Sequence, residues 1–148
     1  MIETLALPAR LREQLKREAR TAFPRECCGL VEGEREGATA QALAMHAVPN
    51  LARESDRFEI DPDAHIALLR GLRGSGREII GCYHSHPNGQ PEPSPRDIAG
   101  AGKTGFLWLI AVIDSANAVA HFACFAWTGI VFAPVRIVPL PHECGGEG

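Results

Sequence analysis

The 148-residue chain is 45% hydrophobic and 22% charged, which is ordinary for one folded globular domain. Its formal net charge is −3 and it has no run of lysine or arginine, so nucleic-acid binding is not favoured. The apolar run at 106–113 is too short to span a bilayer, and the charged N-terminal stretch does not resemble a signal peptide. The five cysteines form no C-x-x-C pair, which indicates reduced thiols and a cytoplasmic protein.

The first half of the chain predicts one helix, three strands and a second helix. Apolar residues at helical spacing predict a helix over 9–23, which Pro24 ends. The segments "CCGLVEGE" and "ATAQALAMHAVPN" predict two strands joined by a turn at "EREG", and "RFEI" predicts a short third strand. Asp61 has the properties of a helix cap, with Pro62 at the first helical position.

The second half predicts a strand, a loop, a short helix and three further strands. The strand is "REIIGCYHSH", the loop is "PNGQPEP" and the helix begins at "SPRD". Apolar segments at 106–113, 118–127 and 130–138 predict an antiparallel meander. The order predicts a single α/β (α+β) domain over 1–141, with a mixed central β-sheet packed by helices. Residues 142–148 are expected to form a disordered tail.

Two histidines lie one residue apart in "GCYHSHPNGQPEPSPRD". On a strand, His84 and His86 point to the same face and can share a metal ion, although such pairs are also common by chance. Ser94 and Asp97 match a helix N-cap and its capping-box partner, which is by itself a complete structural explanation of "SPRD". The two interpretations are compatible, because a capping carboxylate can still point one oxygen at a metal.

Two histidines and one aspartate make three protein ligands. A catalytic zinc site has three such ligands and one open position for water, whose pKa the metal lowers. Hydrolysis also needs a donor to the oxyanion and a base for the proton of the water. Ser94 is a candidate donor, whereas the base has to come from elsewhere in the chain.

The spacing His84-Ser85-His86-Pro87, then Ser94, then Asp97, resembles the H-x-H-x7-S-x2-D signature of the JAMM (MPN+) metallopeptidases. "PRECCGLVEG" is similar to the upstream element that carries the catalytic glutamate of that family, and "N…RFEIDP" is similar to the small prokaryotic members. The resemblance implies a cytidine-deaminase-like MPN/JAB fold.

The resemblance also implies a role for each matching residue. His84, His86 and Asp97 would bind Zn²⁺, Glu26 would be the general base, and Ser94 would donate to the oxyanion. Spacing alone does not single out Glu26, because other glutamates follow within ten residues.

The implied reaction is hydrolysis of an amide or isopeptide bond. Stand-alone prokaryotic members of the family act next to the C-terminal Gly-Gly of ubiquitin-like sulfur carriers, so such a carrier or its adduct is the expected substrate and partner. The chain leaves no room for the large insertion with which eukaryotic deubiquitinating members hold ubiquitin.

Three alternatives remain at this point. A non-catalytic MPN-type interaction module would typically lack motif residues that are all present here. A RadC-like, nucleic-acid-associated protein carries a similar histidine motif, but usually follows an upstream helical domain. A phage tail-assembly peptidase is another enzymatic alternative.

Three further residues are weaker candidates. Cys82 shares its strand face with the histidines and is interpreted as a small core residue. Asn50 and Arg57 flank the strand that would border a substrate groove, and are binding candidates.

Overall fold

The computed structural model describes residues 1–53, 57–99, 102–114 and 118–140. The expected tail at 142–148 lies outside the described residues. The elements in chain order are β1 (Thr4–Ala6), α1 (Ala9–Ala22), β2 (Cys28–Glu36), β3 (Thr39–Val48), α2 (Pro62–Gly71), β4 (Glu78–His86), α3 (Pro95–Ala99), β5 (Leu107–Ile113), β6 (Val119–Trp127) and β7 (Phe132–Val138). Within the described residues, no helix is long and apolar enough to cross a membrane.

Local sequence signals account for the two longer helices. In α1, a buried stripe of Leu11, Leu15 and Ala19 packs against the sheet, and the helix ends at Ala22, just before Pro24, as predicted. The α2 helix begins at Pro62, where the Asp61 side chain accepts a hydrogen bond from the backbone N–H of Asp63 at 3.0 Å.

The strands of the described part form one closed mixed sheet in the order β1-β3-β2-β4-β5-β6-β7. The short β1 closes it by pairing in parallel with both β3 and β7, and β4 and β5 are also parallel. The other pairs are antiparallel. The predicted mixed sheet is confirmed, but β1 was not predicted because three residues are too few to show a strand period.

The predicted strand at "RFEI" is wrong. Residues 57–60 make only an isolated bridge, between Asn50 and Ile60. The backbone of this segment instead bonds to the Asn50 side chain, which donates to the Arg57 carbonyl and accepts from the Glu59 N–H. A side chain that captures backbone groups in this way removes them from a strand ladder. We call residues 57–60 the wall segment.

The sheet carries a core on each face, because successive strand residues point to opposite sides. The larger core packs α1 against Val31, Tyr83 and Leu109. The smaller core contains their sequence neighbours Leu30, Cys82 and Trp108 together with Phe58 and Ile60. His84 and His86 share their parity with Cys82, so they lie on the side of the smaller core, where β4 ends.

Candidate metal centre

The two histidines occupy the C-terminal end of β4, between β2 and β5. His84 pairs with Cys28 on one side and Ile110 on the other, so its backbone is fixed by two strands. Both imidazoles are buried, with exposures of 0% for His84 and 4% for His86. Their Nε2 atoms lie 2.9 Å apart, so the two rings face one common point.

Asp97 reaches the same point from the first turn of α3. Its Oδ2 atom lies 3.2 Å from the Nε2 atom of His84 and 3.2 Å from that of His86. The capping box is also present: the Asp97 N–H donates to Ser94 Oγ at 3.1 Å, and the Ser94 N–H donates to Asp97 Oδ2 at 2.8 Å. The Asp97 carboxylate therefore takes part in the capping box and faces both histidines at the same time.

The surroundings of each histidine hold its ring in place. The Nδ1 atom of His86 donates to the Gln90 carbonyl at 2.8 Å, which leaves the Nε2 lone pair facing the centre. The His84 ring stacks on Phe58 with centroids 4.3 Å apart, and meets the edge of Trp108 at 5.7 Å. Within the described residues, the buried His84 Nδ1 has no hydrogen-bond partner. Away from the Nε2 contacts, aromatic packing therefore orients this ring.

The three converging atoms fit a tetrahedral metal. Their separations are 2.9, 3.2 and 3.2 Å. Zinc–ligand bonds of about 2.0–2.1 Å at tetrahedral angles separate the ligand atoms by about 3.3 Å. Two imidazoles and one carboxylate are also a ligand set that catalytic zinc uses. Spacing and donor chemistry therefore both suit Zn²⁺.

The protonation states of His84 and Asp97 favour metal binding, which needs deprotonated ligands. Burial lowers the pKa of His84, so this imidazole is neutral at neutral pH. Burial alone would raise the pKa of Asp97, but hydrogen bonds from His84 and His86 outweigh it and hold that pKa well below its usual range. For His86, burial would lower the pKa, but the hydrogen bond to Asp97 raises it above its usual value.

Glu26 lies in the segment between α1 and β2 and is 5% exposed. One of its carboxylate oxygens and the ligand nitrogens of His84 and His86 all lie within 4.8 Å of one another. The structure separates it from the other candidate glutamates, because Glu32 bonds His46 and Arg77, while Glu34 and Glu36 are exposed. The prediction that this residue belongs with the histidines depended on the family resemblance, and the fold brings it there.

Two grooves flank the centre. The first, about 480 Å³ in volume, we call the proline groove; it is lined by Pro24, Glu26, Pro87, Pro93 and Ser94, among others. The second, about 500 Å³, we call the aromatic groove; it is lined by Phe58, Ile60, Phe106, Trp108 and, at the centre, Asp97. Cys82 also lines it and is only 2% exposed, in agreement with its interpretation as a core residue.

Sequence reasoning missed two parts of this site. The Gln90 carbonyl that orients His86 is a backbone atom in a loop, and no side-chain pattern signals it. Asn50 was predicted only as a binding candidate, yet its amide makes four hydrogen bonds, one of them to the Glu26 carbonyl. Its position at the end of a predicted strand was the available signal.

Comparison with known proteins identifies the family. The profile described as "Prokaryotic homologs of the JAB domain" matches residues 8–128. The chain belongs to this family. It is 32% identical over 138 residues to a desampylase of Haloferax volcanii, covering 90% of this chain and 94% of that protein. It is 35% identical over 95 residues to a "Probable TtuB-protein conjugate cleaving protease" of Thermus thermophilus, covering 64% of this chain and 61% of that protein.

Solved structures agree with this assignment. A Desulfitobacterium hafniense protein solved in solution superposes with a TM-score of 0.80 at 25% identity, covering 95% of this chain and 97% of that chain. A JAB1/MPN domain protein of Archaeoglobus fulgidus superposes with a TM-score of 0.52 at 16% identity, covering 92% and 96%. The predicted membership of the JAMM/MPN+ family and its JAB/MPN fold are therefore confirmed.

Proposed function

We propose that this chain is a zinc-dependent isopeptidase that hydrolyses the amide bond next to the C-terminal Gly-Gly of a ubiquitin-like sulfur-carrier protein. The observation that carries the chemistry is the convergence of His84, His86 and Asp97 on one point, with the Glu26 carboxylate beside them. The names of the relatives, desampylase and TtuB-conjugate-cleaving protease, support the substrate class. The four described cysteines are free thiols, which supports a cytoplasmic location.

His84, His86 and Asp97 would hold the metal through Nε2, Nε2 and Oδ2. When bound, zinc supplies a Lewis acid and a water molecule of lowered pKa. The ionised Asp97 and the neutral His84 are already in the protonation states that such binding needs. The bond from His86 to the Gln90 carbonyl adds an outer contact of the kind that orients metal-binding imidazoles.

Glu26 would accept a proton from the attacking water and return it to the leaving amine. Glu26 lines the proline groove and is absent from the lining of the aromatic groove. A proton donor has to lie within hydrogen-bond reach of the atom it serves. The leaving amine therefore faces the proline groove, and the acyl side of the substrate extends along the aromatic groove.

Ser94 would donate a hydrogen bond to the oxyanion that forms as the carbonyl is attacked. In the cap, Ser94 Oγ acts as an acceptor, so its O–H proton is left to donate. The residue lines the proline groove together with Glu26 and is half-buried. It therefore faces the space where the scissile carbonyl would lie.

The test is cleavage of a carrier–lysine conjugate with a Gly-Gly linkage by the zinc-loaded protein, followed by mass spectrometry. We expect Glu26→Gln to lower kcat by about 10²–10⁴-fold, the usual contribution of a general acid–base group. Its zinc content should remain one per chain. Glu13→Gln, a change of the same kind at an exposed site on α1, should leave the rate unchanged. The proposal fails if the wild-type protein binds no zinc, or binds it and releases no carrier.

A further inference from the structure

The side chain of Asn50, two residues after the end of β3, forms hydrogen bonds to backbone atoms at all of its donor and acceptor positions. Its Nδ2 donates to the carbonyls of Glu26 and Arg57, each at 3.0 Å. Its Oδ1 accepts from the N–H groups of Ala52 at 2.9 Å and Glu59 at 3.0 Å. An amide has two donor hydrogens and two acceptor lone pairs, so all four positions are used.

A second side chain joins the same two segments in the opposite direction. Arg25 donates through Nη1 to the Arg53 carbonyl at 3.2 Å and through Nη2 to the Ala52 carbonyl. Asn50 thus bonds the backbone of the segment that carries Glu26, while Arg25 of that segment bonds the backbone that follows Asn50. The exchange is reciprocal, and it holds the Glu26 segment against the residues that lead to the wall segment.

The two ends of the Asn50 contacts lead to different parts of the site. One end is the Glu26 peptide, whose carboxylate lies beside the histidines. The other is the wall segment, in which Phe58 stacks on His84 and lines the aromatic groove. The four hydrogen bonds of the Asn50 amide all go to backbone atoms, and none goes to His84, His86 or Asp97. The Asn50 amide therefore connects Glu26 to the wall segment without contacting the three candidate metal ligands.

We propose that Asn50 is a positioning residue that sets the location of Glu26 through its carbonyl and ties it to the wall segment. This inference rests on the proposed function, in which Glu26 moves the proton. A displacement of about 1 Å in a catalytic group can cost about 10²-fold in rate. Loss of the Nδ2 donor should therefore lower kcat by about 10–100-fold, with zinc binding unchanged.

Two variants distinguish the donor contacts of Asn50 Nδ2 from the acceptor contacts of its Oδ1. Asn50→Asp keeps an oxygen for the Ala52 and Glu59 N–H groups but faces the Glu26 and Arg57 carbonyls with a second oxygen. Asn50→Ala removes all four bonds. We expect Asn50→Asp to lower kcat with KM changed by less than about 3-fold, since the wall segment loses its bond at Arg57 but keeps its bond at Glu59, and Asn50→Ala, which removes both, to lower kcat and raise KM. Gln41→Glu, the same charge change on β3 away from the site, is the control.

Hydrogen exchange provides a readout that does not depend on turnover. In Asn50→Asp, the Cys27 amide beside Glu26 should exchange at least about 10-fold faster than in the wild type, with no such change in Gln41→Glu. The proposal is overturned if Asn50→Asp keeps wild-type kcat while Asn50→Ala is impaired, because the amide would then serve only as an acceptor. It is also overturned if zinc content falls in parallel with kcat. If the wild type itself is inactive, the proposed function fails, and the exchange rates alone decide whether Asn50 positions Glu26.

Discussion

Replacing Ser94 by alanine tests whether this residue has one role or two. Its Oγ accepts from the Asp97 N–H at 3.1 Å, which caps α3, and the residue lines the proline groove. The substitution removes both the cap acceptor and the hydroxyl proton. The Ser94 backbone N–H still donates to Asp97 Oδ2 at 2.8 Å, so Asp97 keeps one anchor beside the histidines.

The two roles predict losses of different size in different measurements. An N-cap serine is worth about 1 kcal/mol of stability, which corresponds to a fall in Tm of about 2–4 °C for a domain of this length. A donor to the oxyanion is worth about 10²–10³-fold in kcat. A cap alone predicts only the first loss, whereas the proposed mechanism predicts both.

The assay compares Ser94→Ala with Ser94→Thr, which keeps a hydroxyl at the same position. Thermal unfolding, zinc content and kcat on a Gly-Gly-linked conjugate are measured for each protein. Ser94→Thr should stay close to the wild type in all three, because threonine retains both the acceptor and the donor. Ser94→Ala should lose stability and rate but keep its zinc.

A kcat for Ser94→Ala within about 3-fold of the wild type would refute the donor role, since a lost oxyanion donor costs far more. Loss of zinc in Ser94→Ala would contradict a different step, the expectation that Asp97 keeps its position without the cap. The loss of rate would then follow from the displaced Asp97 and not from the missing hydroxyl donor.

Three further predictions concern the scaffold. In Gly29→Ala, the new Cβ would lie 2.2 Å from the buried Tyr83 ring, so we expect the free energy of unfolding, measured with denaturant, to fall by about 1–3 kcal/mol. In the control Gly71→Ala, the new Cβ meets no atom within 4 Å, so the stability should not fall. Equal stabilities of the two variants would contradict the packing argument. Burial alone would raise the pKa of Glu32, but hydrogen bonds from Arg77 and His46 lower it below its usual 4.5. The resulting stabilisation is present above the unfolded-state pKa of Glu32 and is lost as pH falls through the folded-state pKa. Glu32→Gln should therefore have a lower Tm than the wild type at pH 7, and this difference should shrink below about pH 4. A difference in Tm that does not depend on pH would contradict this reasoning. Burial raises the pKa of Cys27, Cys28 and Cys124 to about 12, and that of Cys82 well above its usual value, so a thiol reagent at pH 8 should label at most one of the five cysteines until the protein unfolds.

Much of the candidate metal centre could be predicted from local rules. His84 and His86 share a face because side chains alternate along a strand, and the Ser94–Asp97 pair forms a capping box because residues three apart meet in the first turn of a helix. Each of these rules involves residues at most three positions apart. The wrong prediction at 57–60 has the opposite origin, since a strand-like composition there was overridden by the more distant Asn50 side chain.

The sequence by itself determined the helices, most of the strands, the two-histidine face and the capped aspartate, because periodicity and capping are short-range properties of the chain. No local pattern singled out the glutamate that joins them: the family resemblance named Glu26, and the tertiary structure shows how it reaches the histidines. The antiparallel register that sets Cys28 opposite His84 carries the chain back so that Glu26 lies beside the histidine pair, more than fifty residues away in sequence. The closure of the sheet by β1 and the contact of Asn50 with Glu26 also join residues that are far apart in the sequence. Such contacts depend on the register between distant strands, which no local pattern encodes.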